Sequence, residues 1–155
     1  MDYILASWML CKVRYDKTME DGLTKKVTET YVVNADSFTE AEERITREMK
    51  QYISGEFDVA EIDRAVFCEV LFMGRDELEQ KKDADVHWYK CKVQFITIDE
   101  RSGKEKKTSV YLLVEGCGIE NAKKNIDKQM SSTMADYHIA AVSETNIMDV
   151  FGFLK

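Results

Sequence analysis

One stretch of this sequence is written twice. Residues 8–15 read Trp-Met-Leu-Cys-Lys-Val-Arg-Tyr, and residues 88–95 read Trp-Tyr-Lys-Cys-Lys-Val-Gln-Phe. Tryptophan and cysteine are rare residue types, so their return at one spacing, followed by Lys-Val and then an aromatic residue two positions on, indicates an internal repeat. A repeat restricts the fold far more than the chemistry, because both copies must form the same elements.

The first copy predicts two strands and a helix. Residues 9–15 alternate between apolar and polar side chains, which is typical of a strand. A loop over residues 16–24, in which Gly22 supplies a positive φ, joins this strand to a second one over residues 25–35. Ser37-Phe38-Thr39-Glu40 has the pattern of a capping box, so we expect a helix to begin there.

The rest of the first copy predicts the buried side of that helix and its last strands. Apolar residues recur every three or four positions and form one stripe: Phe38, Ala41, Ile45, Met49 and Tyr52. Residues 57–72 are rich in β-branched and aromatic residues, which favours one long strand or two short strands with a bend near Asp63. Residues 73–86 are dense in charge and nearly free of large apolar groups, so they are predicted to be a linker.

The second copy repeats these elements in the same order, and a matching helix stripe contains Ile119, Ala122, Ile126 and Met130. The sequence therefore predicts an α+β fold of two tandem ββαβ units packed pseudo-symmetrically, with a mainly antiparallel sheet and two helices on one side. Residues 1–155 are expected to form one compact domain, with repeat one at 7–72, the linker at 73–86 and repeat two at 87–153. A homodimer is compatible with this arrangement.

Charge and hydropathy exclude several classes of function. The net charge of −7 lies entirely before Leu78, where ten Lys and Arg face seventeen Asp and Glu. Such a chain is not expected to bind duplex nucleic acid, which requires a net basic face. Because no long apolar run occurs and Met1–Ala6 lacks the features of a leader, we predict no membrane span and a cytoplasmic location. The four cysteines form no CxxC pair, which favours unbridged, packed thiols.

The repeated motif also contains the candidate ligand-binding residues, which on a strand share the face opposite the core: Trp8, Lys12, Arg14, Trp88, Lys90 and Lys92. An aromatic ring beside cations is how proteins hold bases and phosphates. The alternative is structural, with each tryptophan packing at the end of its sheet and the lysines lying along the surface.

Two acids at equivalent positions interrupt apolar runs. Glu69 and Asp149 could act as a pair of carboxylates in acid–base catalysis. Alternatively, if the last strand of each copy lies beside the first, each acid pairs with Lys12 or Lys92 as a structural device. The catalytic role would require further residues that support the two acids, whereas the structural pairing requires none.

Neither a metal site nor a cofactor is predicted. His87 and Cys91 have a spacing that zinc could use, but Ser7 stands in the first copy where His87 stands in the second. Gly116-Cys117-Gly118 precedes a helix and could let an anion approach free amides, or could simply shape the turn.

Several of these motifs also resemble those of one family. They are Trp-x-x-Cys-Lys-Val, Ser37-Phe38-Thr39-Glu40-Ala41-Glu42, Ser54-Gly55-Glu56-Phe57 and Ile147-Met148-Asp149-Val150-Phe151. The chain resembles, over nearly its whole length, an uncharacterised family of small proteins from Bacteroidetes and their phages and mobile elements. The resemblance implies no activity or catalytic residues. It implies a context in which small domains without enzyme motifs often bind host proteins, nucleic acid or signalling nucleotides.

These observations favour a non-enzymatic binding protein that holds, and so sequesters, a small anionic ligand such as a signalling nucleotide. The site is expected at the junction of the repeats or at an oligomer interface. One alternative is an acidic adaptor or inhibitor that binds a host protein through the first half of the chain. Another is an acid-dependent hydrolase that uses Glu69 and Asp149.

Overall fold

A computed structural model of the chain describes residues 7–80 and 85–152, and its fold is α+β. The elements in chain order are β1 (Trp8–Thr18), β2 (Thr24–Asn34), α1 (Phe38–Met49), β3 (Phe57–Arg64), β4 (Phe67–Leu71), α2 (Arg75–Gln80), β5 (His87–Ile98), β6 (Glu105–Gly116), α3 (Ile119–Met130), β7 (Asp136–Glu144) and β8 (Ile147–Phe151). Three parts of the sequence predictions lie outside the described residues. They are residues 1–6, for which no leader was predicted, residues 81–84 of the predicted linker, and residue 153 at the end of repeat two. No helix in the described part of the chain is long and apolar enough to span a membrane.

The described residues form two compact units. Unit 1 contains residues 7–66 and 146–152, and unit 2 contains residues 67–80 and 85–145. The predicted repeats ended instead at residues 72 and 153, so the boundaries of the units differ from those of the repeats. The prediction of one compact domain stays a prediction.

Unit 1 is a four-stranded mixed sheet in the order β3-β1-β2-β8. Strand β1 pairs antiparallel with both β2 and β3, whereas β8 lies parallel to β2. Helix α1 covers one face because its short apolar stripe meets the inward residues of β1 and β2. The buried cluster contains Met9, Cys11, Val13, Tyr31, Val33, Ala35, Ala41, Ile45 and Met49.

Unit 2 has the same arrangement, with the strand order β4-β6-β5-β7 and a parallel pairing between β4 and β6. Helix α3 covers one face of this sheet. The buried cluster contains Leu71, Tyr89, Cys91, Val93, Leu112, Val114, Ala122 and Ile126. In both sheets the strand register shifts at the same place, between Lys12 and Val13 on β1 and between Lys92 and Val93 on β5, with the extra residue on the facing edge strand.

The last strand of each predicted repeat lies in the sheet of the other unit. Strand β4 belongs to repeat one but completes the sheet of unit 2, and β8 belongs to repeat two but completes the sheet of unit 1. The prediction of a single sheet is therefore wrong, whereas the predicted mainly antiparallel pairing holds for four of the six pairs of neighbouring strands in the described residues. The exchange instead builds two mixed sheets, each covered by its own helix, and the short α2 is a third helix within the predicted linker.

The crossovers between the units are short and are anchored on the tryptophans. Two residues, Ala65 and Val66, lead from β3 to β4, and residues 145–146 lead from β7 to β8. The Ala65 amide donates to the Trp8 carbonyl at 2.8 Å, and the Thr145 amide donates to the Trp88 carbonyl at 2.9 Å. The repeated tryptophans thus mark the points where the chain leaves one sheet for the other.

Polar contacts fix the end of each exchanged strand. In unit 1 the Arg44 guanidinium of α1, which is buried, donates to the Asn34 carbonyl at the end of β2 and to the Gly152 carbonyl after β8. In unit 2 the Glu115 carboxylate of β6 accepts from the Met73 amide after β4 at 2.9 Å. The two units use different groups for the same purpose.

Local sequence signals explain most element ends. Gly22 has a φ of +83°, as the predicted hairpin loop requires. The Ser37 hydroxyl accepts from the Glu40 amide at 3.1 Å, which confirms the predicted helix start, although the Glu40 carboxylate accepts from Asp36 and not from Ser37. The predicted stripe is too wide at its ends, because Phe38 and Tyr52 are 48% and 66% exposed.

Candidate functional site

The face of the unit 2 sheet that points away from α3 has two lysines around a tyrosine. Because Cys91 and Val93 pack under the helix, the alternating Lys90 and Lys92 lie on the opposite face. Lys92 is directly opposite Tyr111 on β6, and the Lys90 Nζ lies 4.8 Å from the centre of the Tyr111 ring. We call this face of unit 2 the lysine face.

The lysine face continues along both central strands. Gln94 pairs with Ser109, whose hydroxyl lies 3.5 Å from the Gln94 amide nitrogen, and Ile96 pairs with Lys107. On the other side, the edge strand β7 presents small or uncharged side chains, with Ala141 opposite Lys92. The described residues of this face from Lys90 to Ile96 on β5, and those opposite them on β6 and β7, include no acid except Asp136 at the start of β7.

The equivalent face of unit 1 is neutralised. Lys12 forms an ion pair with Glu61 on β3, with 3.1 Å between Nζ and Oε2. The hydrogen bond that Lys12 donates to Glu61 lowers the pKa of Glu61, while a hydrogen bond with Glu61 raises the pKa of Asp63. Arg14 on the same strand is exposed and lies opposite Asp58. The cations of unit 1 are thus placed among carboxylates.

The two tryptophans contribute to packing. Trp88 is 4% exposed, and its ring meets the Phe72 ring edge to face at a centroid distance of 5.4 Å. It therefore has no open face on which a base could stack. Trp8 is half-buried, and its carbonyl holds the crossover after β3. Of the six predicted ligand-binding residues, Lys90 and Lys92 come together with an aromatic ring, which is Tyr111 and not a tryptophan.

The predicted pairing of Glu69 and Asp149 with lysines of the first strands is wrong. The last strand of each repeat does not lie beside the first: β4 neighbours β6, and β8 neighbours β2. Glu69 is opposite Leu112 in unit 2, and Asp149 is opposite Tyr31 in unit 1. The acid beside Lys12 is instead Glu61, because β3 occupies the neighbouring position.

The glycine-flanked turn before α3 already has partners for its amides. The Cys117 amide donates to the Asn121 side chain at 2.9 Å, and the Gly118 amide donates to the Tyr89 hydroxyl at 3.0 Å. A Cβ at Gly116 would lie 3.1 Å from the Ala122 backbone nitrogen, so glycine is needed for the close approach of strand and helix. This geometry favours the turn-shaping reading over an anion site.

His87 and Cys91, which have a zinc-like spacing, differ in environment. The His87 Nδ1 lies 3.2 Å from the Glu144 carboxylate, and Cys91 is fully buried in the core. Burial raises the pKa of the Cys91 thiol to about 11, which disfavours the thiolate that a metal requires. In the part of the chain that the structure describes, no group of three or more His, Cys, Asp or Glu residues is placed to hold a metal ion.

A polar cluster in unit 1 was not predicted from the sequence. The Tyr15 and Tyr31 hydroxyls both donate to one oxygen of the Glu29 carboxylate, at 2.7 and 3.1 Å. The other oxygen lies 3.6 Å from the Lys17 Nζ, and the Glu29 side chain is only 11% exposed. We call these four residues the tyrosine–glutamate cluster.

Unit 2 is apolar at the corresponding place. Glu29 is opposite Val13, whereas Val110 is opposite the equivalent Val93. The sequence contained a signal for this difference, because Glu29 occupies an inward position in the alternating residues of β2. Tyr15 continues the inward alternation of β1, and its hydroxyl has in addition a hydrogen-bonding role.

The tyrosine–glutamate cluster predicts a particular sensitivity to alkali. Burial, together with the hydrogen bond to Glu29 and its negative charge, raises the pKa of Tyr15 to about 12. Because the folded state favours the neutral phenol, this contribution to stability is complete below the ordinary pKa of 10 and is lost as the pH rises towards 12. Replacement Tyr15→Phe should lower the free energy of unfolding by about 2 kcal/mol at pH 8. Raising the pH from 8 to 11 should then lower the free energy of unfolding of this variant by less than it lowers that of the native protein.

Urea unfolding at both pH values measures this difference. Tyr52→Phe is the matched control, since Tyr52 is 66% exposed and should leave both values unchanged. An equal alkaline loss in the native protein and in Tyr15→Phe would show that the Tyr15 hydroxyl does not contribute through its protonation.

Comparison with known proteins gives a family and no activity. Residues 7–153 match the family described as Domain of unknown function (DUF4494). No curated protein matches the chain. The match includes both copies of the tryptophan motif and both exchanged strands. The chain therefore belongs to this family of domains of unknown function, DUF4494.

Proposed function

We propose that the protein is a non-enzymatic binding protein that holds a small anionic ligand, such as a signalling nucleotide, on the lysine face of unit 2. The site thus lies on one sheet face, whereas the sequence predicted it at the junction of the repeats or at an oligomer interface. A protein of this kind acts by sequestering its ligand. Residence in the cytoplasm and carriage by phages or mobile elements of Bacteroidetes stay predictions from the sequence.

The observation that carries the proposal is the contrast between Lys92 and Lys12. Lys92 lies between Tyr111 and Ala141, with Lys90 nearby, so its charge meets an aromatic ring and a small side chain. Lys12 at the equivalent position is paired with Glu61 at 3.1 Å. Among the described residues, neither Lys90 nor Lys92 forms an ion pair with a carboxylate. Lysines placed in this way beside an aromatic ring suit an anion that carries a flat group.

We also propose that the chain arose by duplication of a ββαβ unit. Support comes from the strand orders of the two units, from the register shift after Lys12 and after Lys92, and from the contact between each tryptophan carbonyl and its crossover. On this proposal the charges on the two equivalent sheet faces diverged after duplication, so that the face of unit 2 binds the ligand and the face of unit 1 does not.

A ligand that binds the native fold must raise its stability. At a concentration about 100 times its Kd, a nucleotide should add about 2.7 kcal/mol to the free energy of unfolding. The measurement is a thermal-shift and calorimetry screen with mono-, di- and cyclic nucleotides and with pyrophosphate. Lys92→Ala should abolish the stabilisation, because it removes the central cation of the lysine face.

Lys12→Ala provides the matched control at the equivalent position of unit 1, and it should leave the stabilisation unchanged. Failure of all these anions to stabilise the native protein would exclude the proposed function. Equal loss of binding in the Lys12 and Lys92 variants would exclude the lysine face as the site.

Unit 1 favours a second candidate function, the binding of a basic protein partner. Its described residues contain nine Lys and Arg against fourteen Asp and Glu. Glu61 and Asp63 lie on the same face of its sheet, opposite Lys12 and Leu10. A partner held by these charges should be released by salt. A partner captured from lysate and retained at 1 M salt, where charges are screened within about 3 Å, would argue against this mode.

A further inference from the structure

The lysine face is elongated, and its length indicates what kind of anion it takes. Resting on the anion site of the proposed function, we infer that this face also binds single-stranded nucleic acid, held across β5 and β6. The face runs from Lys90 to Ile96 on β5 and ends beside Lys107 on β6. The seven residues from Lys90 to Ile96 are separated by six steps of about 3.4 Å and so span about 20 Å, which is longer than one nucleotide needs.

The chemical groups along the lysine face alternate in the way a single strand requires. Lys90 and Lys92 lie at one end, Gln94 and Ser109 offer hydrogen bonds in the middle, and Lys107 lies at the other end. Cations can meet successive phosphates, while amide and hydroxyl groups can meet base edges. Four-stranded sheets that bind RNA on one face hold two or three bases in this manner.

Tyr111 provides the stacking position. Its ring is half-buried, yet one face is open enough to hold the Lys90 ammonium at 4.8 Å. A base can take the place of the ammonium over the ring, and Lys90 then reaches the adjoining phosphate. His138, opposite Gln94 on β7, is exposed and provides a second flat group on the same face.

Charge favours a single strand over a duplex. The lysine face has three lysines, whereas the whole protein has a net charge of −7. A duplex presents phosphates on two strands, which extend beyond a narrow basic strip towards surrounding acids. A single strand presents fewer phosphates and leaves its bases open for stacking on a flat sheet.

Fluorescence anisotropy with a labelled oligonucleotide of about ten nucleotides tests the inference on the full-length protein. We expect the single strand to bind at least about tenfold more tightly than the same sequence as a duplex or than a mononucleotide. Tyr111→Thr, which introduces the residue found opposite Lys12, should weaken binding about 5- to 150-fold through loss of stacking. Lys92→Ala and Lys107→Ala should each lower the slope of log affinity against log salt by about 0.7.

The controls separate this inference from the proposed function. Lys12→Ala should bind like the native protein, and each variant is first shown to retain the native thermal transition. If Tyr111→Thr fails that test, the two surface lysine variants decide the result. A mononucleotide that binds as tightly as the oligonucleotide overturns the inference but keeps the anion site, and an absence of binding by both overturns the two together. Equal competition by poly-glutamate, or equal affinity for duplex, also overturns the inference.

Discussion

Cleavage of the chain between Gln80 and Asp85 should leave its two halves bound to each other. A protease recognition sequence inserted there would separate a fragment ending after β4 from a fragment beginning before β5. Because β4 is hydrogen-bonded to β6 and β8 to β2, each fragment completes a sheet that the other one began. We expect the cut protein to elute from a size-exclusion column as one species of unchanged volume.

The energetic reason is the burial of apolar side chains on both exchanged strands. Phe67, Val70 and Leu71 on β4 are at most 9% exposed, and Ile147 and Val150 on β8 are at most 8% exposed. Each such side chain contributes about 1.5–3 kcal/mol when it is buried. Withdrawing β4 and β8 would expose all five at once and would leave two strand edges unpaired.

Denaturant provides the control, since the fragments of the cut protein share no covalent bond and should separate in guanidinium chloride. Elution of two separate species in native buffer would instead mean that each repeat retains its own last strand. Such a result would contradict the strand orders of both sheets.

Arg44→Met should be among the most damaging single substitutions in unit 1. Methionine retains much of the volume of arginine but removes the donors to the Asn34 and Gly152 carbonyls. Hydrogen bonds from a charged group, together with the cost of leaving buried carbonyls unpaired, give an expected loss of about 3 kcal/mol. Urea unfolding followed by fluorescence measures this loss.

Arg47→Met is the matched control on the same helix. Arg47 is exposed one turn further along α1, and its replacement should change stability by less than about 0.5 kcal/mol. Equal effects of the two substitutions would show that the Arg44 contacts do not hold the end of β8. A loss confined to Arg44 would support its role in fixing the exchanged strand.

The sequence predicted the local elements well because their signals are local. The alternation after Trp8, the loop glycine Gly22 and the Ser37 cap each depend on neighbouring residues, and the structure has the corresponding strand, turn and helix start. The predicted bend near Asp63 is close to the crossover at Ala65 and Val66. The same reasoning found the apolar run of β4 as a strand.

The destination of that strand could not be predicted in this way. An apolar run such as Phe67–Leu71 fits either sheet, since its pattern shows which side chains are buried and not which strand lies beside it. The prediction assumed that each repeat folds on itself, and this assumption led to the wrong partners for Glu69 and Asp149. Parallel pairing between distant segments leaves no mark in the residues themselves.

The candidate site was predicted in part for a similar reason. Period-two alternation correctly placed Lys90 and Lys92 on the face away from the core. The third member of the site, Tyr111, lies on another strand, and only the register of β5 and β6 brings it opposite Lys92. The burial of Trp88 depends on Phe72, which again comes from the exchanged segment.

The exchange of strands also affects how the protein is made. During synthesis on the ribosome, the first repeat emerges with the outer edge of β2 unpaired, because its partner β8 is translated much later. The contact between Arg44 and Gly152 joins residues 108 positions apart, so this edge stays open while the intervening residues are translated. Contacts this distant in sequence slow folding, and an open strand edge can pair with a neighbouring nascent chain. Unit 1 therefore completes its fold only after β8 has been translated.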